Sequence, residues 1–239
     1  MFAGPNGSGK STIKSVISQE LLGAYVNADE LEKEIHANHT LDLAPFGVHP
    51  RQDELTSFFE ASSLLRRAGH TAAATIRLRG ALLDFGELPV NSYVASVAAD
   101  FIRRKLVESS ASLTFETVMS SPDKIEFLRE AQSLGYRTYL YYISTSDPSI
   151  KVSRVRDRVR MGGHPVPEEK IVTRYHRSLD LLASAIQVSN RAYIFDNSST
   201  SRIWLAEITD GHRLEMRAPE MPEWFKRYVW DRMGSQETE

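Results

Sequence analysis

The residues with the clearest chemical meaning are residues 4–11, which read GPNGSGKS. They match the pattern G-x-x-x-x-G-K-[ST], whose glycines leave backbone N–H groups free to surround the phosphates of a nucleotide. Lys10 is expected to neutralise β- and γ-phosphate charge, and the Ser11 hydroxyl is expected to ligate Mg²⁺. The predicted nucleotide contacts in this phosphate loop and just after it are Gly4, Asn6, Gly7, Ser8, Gly9, Lys10, Ser11 and Thr12.

A helix is predicted directly behind the phosphate loop, from Lys10 to Leu22, because apolar residues recur there at helical spacing. The positive end of its dipole would favour an anion at the loop. The loop does not specify a reaction, since ATPases, GTPases, transporters and small-molecule kinases all share it.

Alternating strand and helix patterns along the chain predict an α/β fold of the P-loop NTPase type, with a parallel sheet flanked by helices. We expect one domain over residues 1–239, with residues 40–90 as a small inserted subdomain. Only three residues precede Gly4, so the first strand is predicted to be minimal. A hairpin (203–208 and 213–216) and a helix (222–233) are predicted to end the chain. Trp224, Tyr228 and Trp230 of that helix are expected to be packing residues. A helix is also predicted over 91–107, with Arg103, Arg104 and Lys105 on its solvated face.

Several polar residues follow predicted strands, at the sheet edge where ligands bind in open α/β folds. Asp29 comes after the predicted strand 24–27, although it is also a favoured helix N-cap for the N–H groups of Leu31 or Glu32. Glu116 and Thr117 end another predicted strand. Asn197 follows a third, at an edge suited to adenine contacts.

A second informative segment, residues 149–161, holds five cations and a single acid, Asp157. Arg154 and Arg158 lie four residues apart on one helix face, and the flexible sequence MGGHP follows. Such an arginine-bearing segment beside a triphosphate indicates a lid that stabilises transferring charge, although a solvated helix would show the same pattern. The next predicted helix, 167–188, projects Arg174 and Arg177 together. Val152, Val155 and Val159 form the apolar stripe of this segment. The cations, which are predicted to face away from that stripe, are Lys151, Arg154, Arg156, Arg158 and Arg160.

Composition narrows the classes of function. The chain has 239 residues, a formal net charge of −2 and no cysteine, which excludes disulfides, thiolate metal sites and Cys catalysis. The charge argues against a general binder of nucleic acids or anionic membranes. No apolar run approaches a membrane span of about 20 residues, and no signal peptide is apparent, so a cytoplasmic protein is expected.

Taken together, these motifs resemble the zeta-toxin-like ATPases over most of residues 2–200, apart from 40–90. That family has a P-loop kinase fold, and its best-known members are toxins of toxin–antitoxin pairs that phosphorylate UDP-N-acetylglucosamine on a sugar hydroxyl. The segments that carry the resemblance are 4–12 (GPNGSGKST), 26–30 (VNADE), 114–117 (TFET), 162–167 (GGHPVP), 174–178 (RYHRS) and 196–198 (DNS).

The resemblance implies a role for each matching residue. Asp29 would be the base for the acceptor hydroxyl, and Glu116 with Thr117 would line the acceptor side. Arg154 and Arg158 would clamp the transferring phosphoryl group. ATP, Mg²⁺, a nucleotide-sugar-like acceptor and an antitoxin protein follow as implied partners. The first strand and the 40–90 insert depart from the toxin pattern, so the acceptor need not be UDP-N-acetylglucosamine.

Other nucleotide-binding classes lack their own motifs in this chain. Neither the Leu-Ser-Gly-Gly-Gln-like signature of ABC ATPases nor the Asn-Lys-x-Asp of GTPases occurs. The remaining rival to a kinase is an ATP-binding interaction or regulatory module with little turnover. The joint presence of Asp29, Glu116 and the arginines favours catalysis.

Overall fold

The computed structural model of the chain describes residues 1–15, 17–69, 75–160 and 166–234, with the Arg158 side chain left out of that description. The chain divides into two compact units. Unit 1 comprises Met1–Val16 and Glu116–Glu239, and unit 2 comprises Ile17–Phe115. The phosphate loop therefore belongs to unit 1, and residues 40–90 belong to unit 2.

The strands are β1 (Phe2–Ala3), β2 (Ala24–Val26), β3 (Thr40–Asp42), β4 (Arg77–Arg79), β5 (Leu82–Asp84), β6 (Leu113–Thr117), β7 (Tyr139–Ser144), β8 (Arg191–Asp196), β9 (Ile203–Thr209) and β10 (Arg213–Met216). The helices are α1 (Ser11–Lys14), α2 (Gln19–Leu22), α3 (Ala28–Asn38), α4 (Gln52–Ala61), α5 (Ser63–Arg67), α6 (Ser92–Glu108), α7 (Asp123–Ser133), α8 (Pro148–Arg160), α9 (Glu168–Asp180), α10 (Leu182–Gln187), α11 (Glu223–Phe225) and α12 (Asp231–Gly234). A π-helical turn (Lys226–Trp230) joins the last two.

Unit 1 is built on a mainly parallel sheet. β1 pairs in parallel with the end of β6 on one side and with β7 on the other, and β7 pairs in parallel with β8. The short β1 is fully buried between its neighbours, with Phe2 opposite Glu116 and Ala3 opposite Thr117. Since parallel strands end at one edge, β1 delivers the phosphate loop to the edge reached by β6, β7 and β8. The predicted α/β class, with a parallel sheet flanked by helices, is confirmed.

The antiparallel hairpin β9–β10 extends this sheet beyond β8, as predicted. Its turn holds Asp210 and Gly211 at positive φ, +51° and +76°. A Cβ on Gly211 would lie 2.8 Å from the carbonyl oxygen of Gln187, so only glycine fits there without a shift.

The C-terminal aromatic residues contribute to the core of unit 1, but not all of them. Trp224 is buried and donates from Nε1 to Oδ2 of Asp196 at 2.6 Å, which ties the terminal helix to the end of β8. Phe225 and Tyr228 are also buried. Trp230, predicted to pack with them, is instead 45% exposed. Trp230 is the last residue of the π-helical turn, whose spacing differs from the α-helical spacing assumed in the prediction.

Unit 2 combines β2, paired in parallel with residues 113–115 of β6, with a separate antiparallel sheet in the order β3-β5-β4. Its core includes an aromatic cluster in which Phe58 lies edge-on to Phe101 at 5.2 Å and Phe59 lies 6.2 Å from Phe101. Residues 40–90 fall in unit 2 together with the residues on either side of them, so the division into units does not separate them as a subdomain. The inserted subdomain over 40–90 stays a prediction.

Two predicted helices are interrupted. The helix predicted over 10–22 is instead two four-residue helices, α1 and α2. The Ser15 hydroxyl donates to the carbonyl oxygen of Thr12 at 2.8 Å, a local bond that competes with helix propagation, and Ser18 is extended. The helix predicted over 167–188 is divided into α9 and α10 at Leu181.

One predicted surface residue is buried. Arg103, assigned with Arg104 and Lys105 to a solvated face of α6, is only 3% exposed. Its guanidinium donates to Asp100 at 2.7 Å and lies 4.9 Å from the centroid of the Phe115 ring. Because α6 is buried on most sides, this arginine is held by an ion pair and a ring rather than by water.

Within the described ranges, no helix combines the length and apolarity needed to cross a membrane.

The terminal helix provides a test of which aromatic residues hold unit 1 together. Phe225 is fully buried, so Phe225→Ala should lower the free energy of unfolding by about 3–5 kcal/mol. Trp230→Ala, which removes an even larger but half-exposed ring, is the matched control and should change it by less than about 1 kcal/mol. Urea denaturation followed by circular dichroism measures both, and equal losses would contradict this packing.

Candidate nucleotide-binding site

The phosphate loop, residues 4–11, is packed so closely that its glycines cannot carry side chains. Gly4 has φ +144°, and a Cβ there would lie 2.1 Å from the carbonyl oxygen of Ile143 at the end of β7. Gly9 has φ +92°, and its Cβ would lie 2.6 Å from Nδ2 of Asn197. The motif's glycines are therefore required by steric contact as well as by backbone conformation.

Lys10 folds back across the loop. Its Nζ donates to the carbonyl oxygens of Gly4 at 2.8 Å and Pro5 at 3.2 Å. Bonds from the ammonium to neutral carbonyls are weaker than bonds to charged phosphate oxygens, so Lys10 can exchange the first kind for the second. Ser11, the predicted Mg²⁺ ligand, is exposed at the first position of α1.

Three buried polar atoms at this site have no hydrogen-bond partner among the described residues: Oδ1 of Asn6, Oγ of Ser8 and an NH1 nitrogen of Arg154. Buried polar groups are nearly always satisfied, so each such atom needs a reason. The Ser8 hydroxyl and the Arg154 guanidinium are hydrogen-bond donors, which suits a bound anion. The Asn6 oxygen is an acceptor, which suits a hydroxyl group or a metal-bound water. The residues present thus fit a nucleotide phosphate with its metal ion.

The segment after β8 braces the loop. The Asn197 amide donates from Nδ2 to the carbonyl oxygen of Ser8 at 2.8 Å, and Arg202 donates to the Thr12 hydroxyl at 3.0 Å. Thr12 donates in turn to the carbonyl oxygen of Gly9 at 2.7 Å. Asn197 was predicted from its place after a strand, whereas Arg202 was missed. Arg202 lies five residues after Asn197 in the same loop, and this closeness in sequence could have indicated it.

The arginine segment forms α8, which begins after Asp147 and passes directly beside the loop. Asp147 Oδ1 accepts from the Ser149 N–H at 2.7 Å, and this bond lowers the pKa of that carboxyl. A Cβ on Gly7 would touch the Lys151 carbonyl oxygen at 3.1 Å and Val155 at 3.4 Å. α8 therefore passes Gly7 with Lys151 and Val155, and half-buried Arg154 lies between these two in the sequence.

Not every cation of α8 serves the loop. Arg156 pairs with Glu168 of α9, and Arg160 pairs with Asp157 at 3.3 Å. Lys151, predicted to face solvent, is completely buried, which corrects that assignment. The side chain of Arg158 and residues 161–165 of the predicted lid lie outside the described part of the chain.

The predicted acceptor-side residues lie on separate elements of unit 1. Glu116 and Thr117 end β6 beside β1, and the Thr117 hydroxyl accepts from the Met119 N–H at 2.9 Å. On α9, Arg174 is partly buried and Arg177 is exposed. The structure brings Glu116 and Thr117 next to the strand that leads into the phosphate loop, since Gly4 donates to the Thr117 carbonyl oxygen at 3.2 Å.

Asp29 belongs to unit 2, at the second position of α3. The helix cap is Asn27, whose Oδ1 accepts from the Asp29 N–H at 2.9 Å. The Asp29 carboxylate is therefore not the N-cap of this helix, and the alternative that assigned it that role is wrong.

Comparison with known proteins gives a family match. The model of the family described as Zeta toxin matches residues 90–209, which is half of the chain. The matched range begins after the phosphate loop, so the loop is recognised by its own motif. No significant match was found among curated proteins.

Three solved structures are similar at low sequence identity. The AvrRxo1-ORF1:-ORF2 crystal structure with ATP has a TM-score of 0.53 and 15% identity, covering 95% of this chain and 62% of that chain. The same pair with sulphate ions has a TM-score of 0.52, 14% identity and the same coverage of 95% and 62%. The PezAT chromosomal toxin–antitoxin system of Streptococcus pneumoniae has a TM-score of 0.43, 16% identity and coverage of 84% and 71%. The AvrRxo1 likeness supports the fold, and this chain spans 62% of the AvrRxo1 chain it matches.

The Asn197 contact separates two roles for that residue. If the amide braces the loop, Asn197→Ala should weaken the binding of both ATP and inorganic triphosphate by about 2- to 10-fold, the worth of one hydrogen bond. An adenine contact predicts a loss for ATP alone. Titration calorimetry measures both ligands. Ser199→Ala, in the same loop and exposed, is the control and should leave both affinities unchanged.

Proposed function

Because the chain belongs to the zeta toxin family, we propose that it is an ATP-dependent kinase that transfers the γ-phosphate of ATP to a hydroxyl group of a small-molecule acceptor. The observation that supports this proposal is a pair of buried donors with no hydrogen-bond partner among the described residues, Ser8 Oγ in the phosphate loop and Arg154 NH1 on α8, the helix that passes Gly7. A binding site with unsatisfied buried donors is complete only with an anion present.

ATP is the nucleotide that the family and the loop favour. The AvrRxo1 structure with ATP, which has a similar fold, supports this choice. In this chain Lys10, Ser8 and the loop N–H groups would hold the β- and γ-phosphates, and Asn197 would keep the loop in shape. Ser11 would bind Mg²⁺, which neutralises charge on the phosphates during transfer. The exposed position of Ser11 leaves its hydroxyl accessible to such an ion.

Transfer needs a base for the acceptor hydroxyl and cations for the transferring group. We assign the base to Asp29, whose carboxylate is not used as the cap of α3. Arg154 and Arg158 are assigned to the transferring phosphoryl group, because charge develops there and arginine cannot lose its proton. Glu116, Thr117, Arg174 and Arg177 are assigned to the acceptor.

The acceptor proposed first is UDP-N-acetylglucosamine or a related nucleotide sugar, on the strength of family membership. Arg174 and Arg177 suit the diphosphate of such a molecule, because a guanidinium binds phosphate oxygens in a fork. An antitoxin partner is proposed as well. The AvrRxo1 structure is a complex of two chains, ORF1 and ORF2, which is consistent with a partner for this fold.

The kinase proposal is tested by incubating the purified protein with ATP, Mg²⁺ and UDP-N-acetylglucosamine, and in parallel with a small-metabolite extract. Mass spectrometry should find one acceptor heavier by a single phosphate group, with a matching amount of ADP. Lys10→Ala should lose both ATP affinity and transfer, because Lys10 meets phosphate charge in the ground state and the transition state. ATP binding without any phosphorylated product would contradict the kinase and favour a nucleotide-dependent interaction module.

The base assignment makes a separate prediction. Asp29→Asn keeps the shape of the side chain but cannot accept a proton, so transfer should fall by roughly 10²-fold or more. The melting temperature and ATP affinity should hardly change, since Asn27 still caps α3. Glu30→Gln, the neighbouring exposed position, is the matched control and should retain activity. Near-normal transfer by Asp29→Asn would reject this assignment and make Glu116 the next residue to test.

A further inference from the structure

One ionisable group beside the phosphate loop has no part in the proposed reaction. Lys151 of α8 is 0% exposed, although lysine is almost never fully buried unless it is paired. Its backbone contacts the loop, since its carbonyl oxygen would lie 3.1 Å from a Cβ on Gly7. The Lys151 amine is enclosed as well, because its Nζ lies 3.3 Å from Oγ of Ser144, the residue after Ile143, whose carbonyl oxygen crowds Gly4.

The partners of the Lys151 amine are neutral. Nζ lies 3.3 Å from the Ser144 hydroxyl at the end of β7, and 4.4 Å from the centroid of the Tyr175 ring on α9. The Tyr175 hydroxyl is occupied, because it donates to the Thr145 carbonyl oxygen at 2.9 Å. A hydroxyl and a ring face can hold an amine in place, but they do not provide the carboxylate that a buried ammonium normally requires.

The charged groups that act on Lys151 are mostly of the same sign. Lys10 acts from the phosphate loop and Arg154 from α8 itself, whereas Asp196 at the end of β8 opposes them. Asp196 already accepts from Trp224 Nε1 at 2.6 Å and from the Ser198 N–H at 2.8 Å. Burial, with smaller contributions from Lys10 and Arg154, holds the pKa of Lys151 well below its ordinary value.

We propose that Lys151 is a proton-accepting positioning residue: its amine is neutral while the site is empty and takes up one proton from solvent when nucleotide phosphates bind beside it. The proton moves from water or buffer to Nζ, and no other bond changes. The inference rests on the proposed binding of ATP. The negative charge of the phosphates favours the ammonium form against burial and also offsets the smaller repulsion from Lys10 and Arg154, so Nζ is protonated in the complex.

This arrangement has a defined consequence for pH dependence. A group that gains a proton on binding makes affinity fall as pH rises, by up to about tenfold per pH unit between its pKa in the free protein and its higher pKa in the complex. The stability of the protein without nucleotide also depends on pH. This stability rises with pH between the lowered pKa of Lys151 and the ordinary lysine pKa, because in that window the unfolded chain binds a proton that the folded chain does not.

The test is titration calorimetry of ATP binding in buffers of different ionisation enthalpy, which yields the number of protons taken up. At about pH 8.5 the nucleotide phosphates are already fully ionised, because their last pKa is lower, near 6 for a phosphate monoester. Any uptake then belongs to the protein. The wild type should take up a fraction of a proton approaching one per nucleotide, and Lys151→Met should abolish that fraction. Lys170→Met, at an exposed position on α9, is the matched control and should behave as the wild type.

Each outcome decides the inference. Lys151→Met removes a buried amine but keeps its length, so the empty variant should melt at the same or a higher temperature. If the variant fails to fold, the absence of proton uptake by the wild type still rejects the inference. ATP binding without proton uptake, or equal uptake by wild type and Lys151→Met, would reject the role of Lys151 and leave the kinase proposal standing. Failure of the wild type to bind ATP would reject both.

Discussion

The contact between Gly4 and the carbonyl oxygen of Ile143 is the constraint on which the candidate site depends. A side chain at Gly4 would have to occupy space 2.1 Å from that oxygen, so the loop can leave β1 only as glycine backbone. The same crowding recurs where Gly9 meets Asn197 and Gly7 meets α8. Three elements thus hold the loop in shape without help from a long helix.

Local signals in the sequence predicted the parts of the fold that depend on local chemistry. The phosphate loop, the ends of β2, β6 and β8, and the hairpin after Asn197 are where the patterns put them. Short β-branched and aromatic runs between polar turns specify strands with little help from the rest of the chain. The loop's own glycines and Lys10 could be named for the same reason, because each is required by backbone geometry or by phosphate charge.

The errors arose where tertiary contacts override residue type. Lys151 was predicted to face away from the apolar stripe because of its charge, although it lies four residues before buried Val155, a spacing that shares one helix face. The spacing was the better guide. Arg103 was assigned to the surface for a different reason. Its burial depends on the ion pair with Asp100 and on the Phe115 ring, and the folded chain is what brings these two partners to it. At the end of the four-residue α1, the Ser15 side chain bonds to nearby backbone, a competition that apolar periodicity does not register.

The short α1 changes how anion binding in this chain should be understood. A helix of four residues sums few peptide dipoles, so a strong N-terminal field is not the source of affinity for phosphate. In the proposed site, Lys10 and Arg154 would supply most of the charge, with the loop N–H groups giving direction. Without an anion, the repulsion that these cations exert on Lys151 and the orphaned donors would destabilise such a site. Leaving the deepest amine, Lys151, uncharged until phosphate arrives would limit this cost in the free protein and add a third cation in the complex. The electrostatics of the site are then matched to the occupied state, which is the state that catalysis requires.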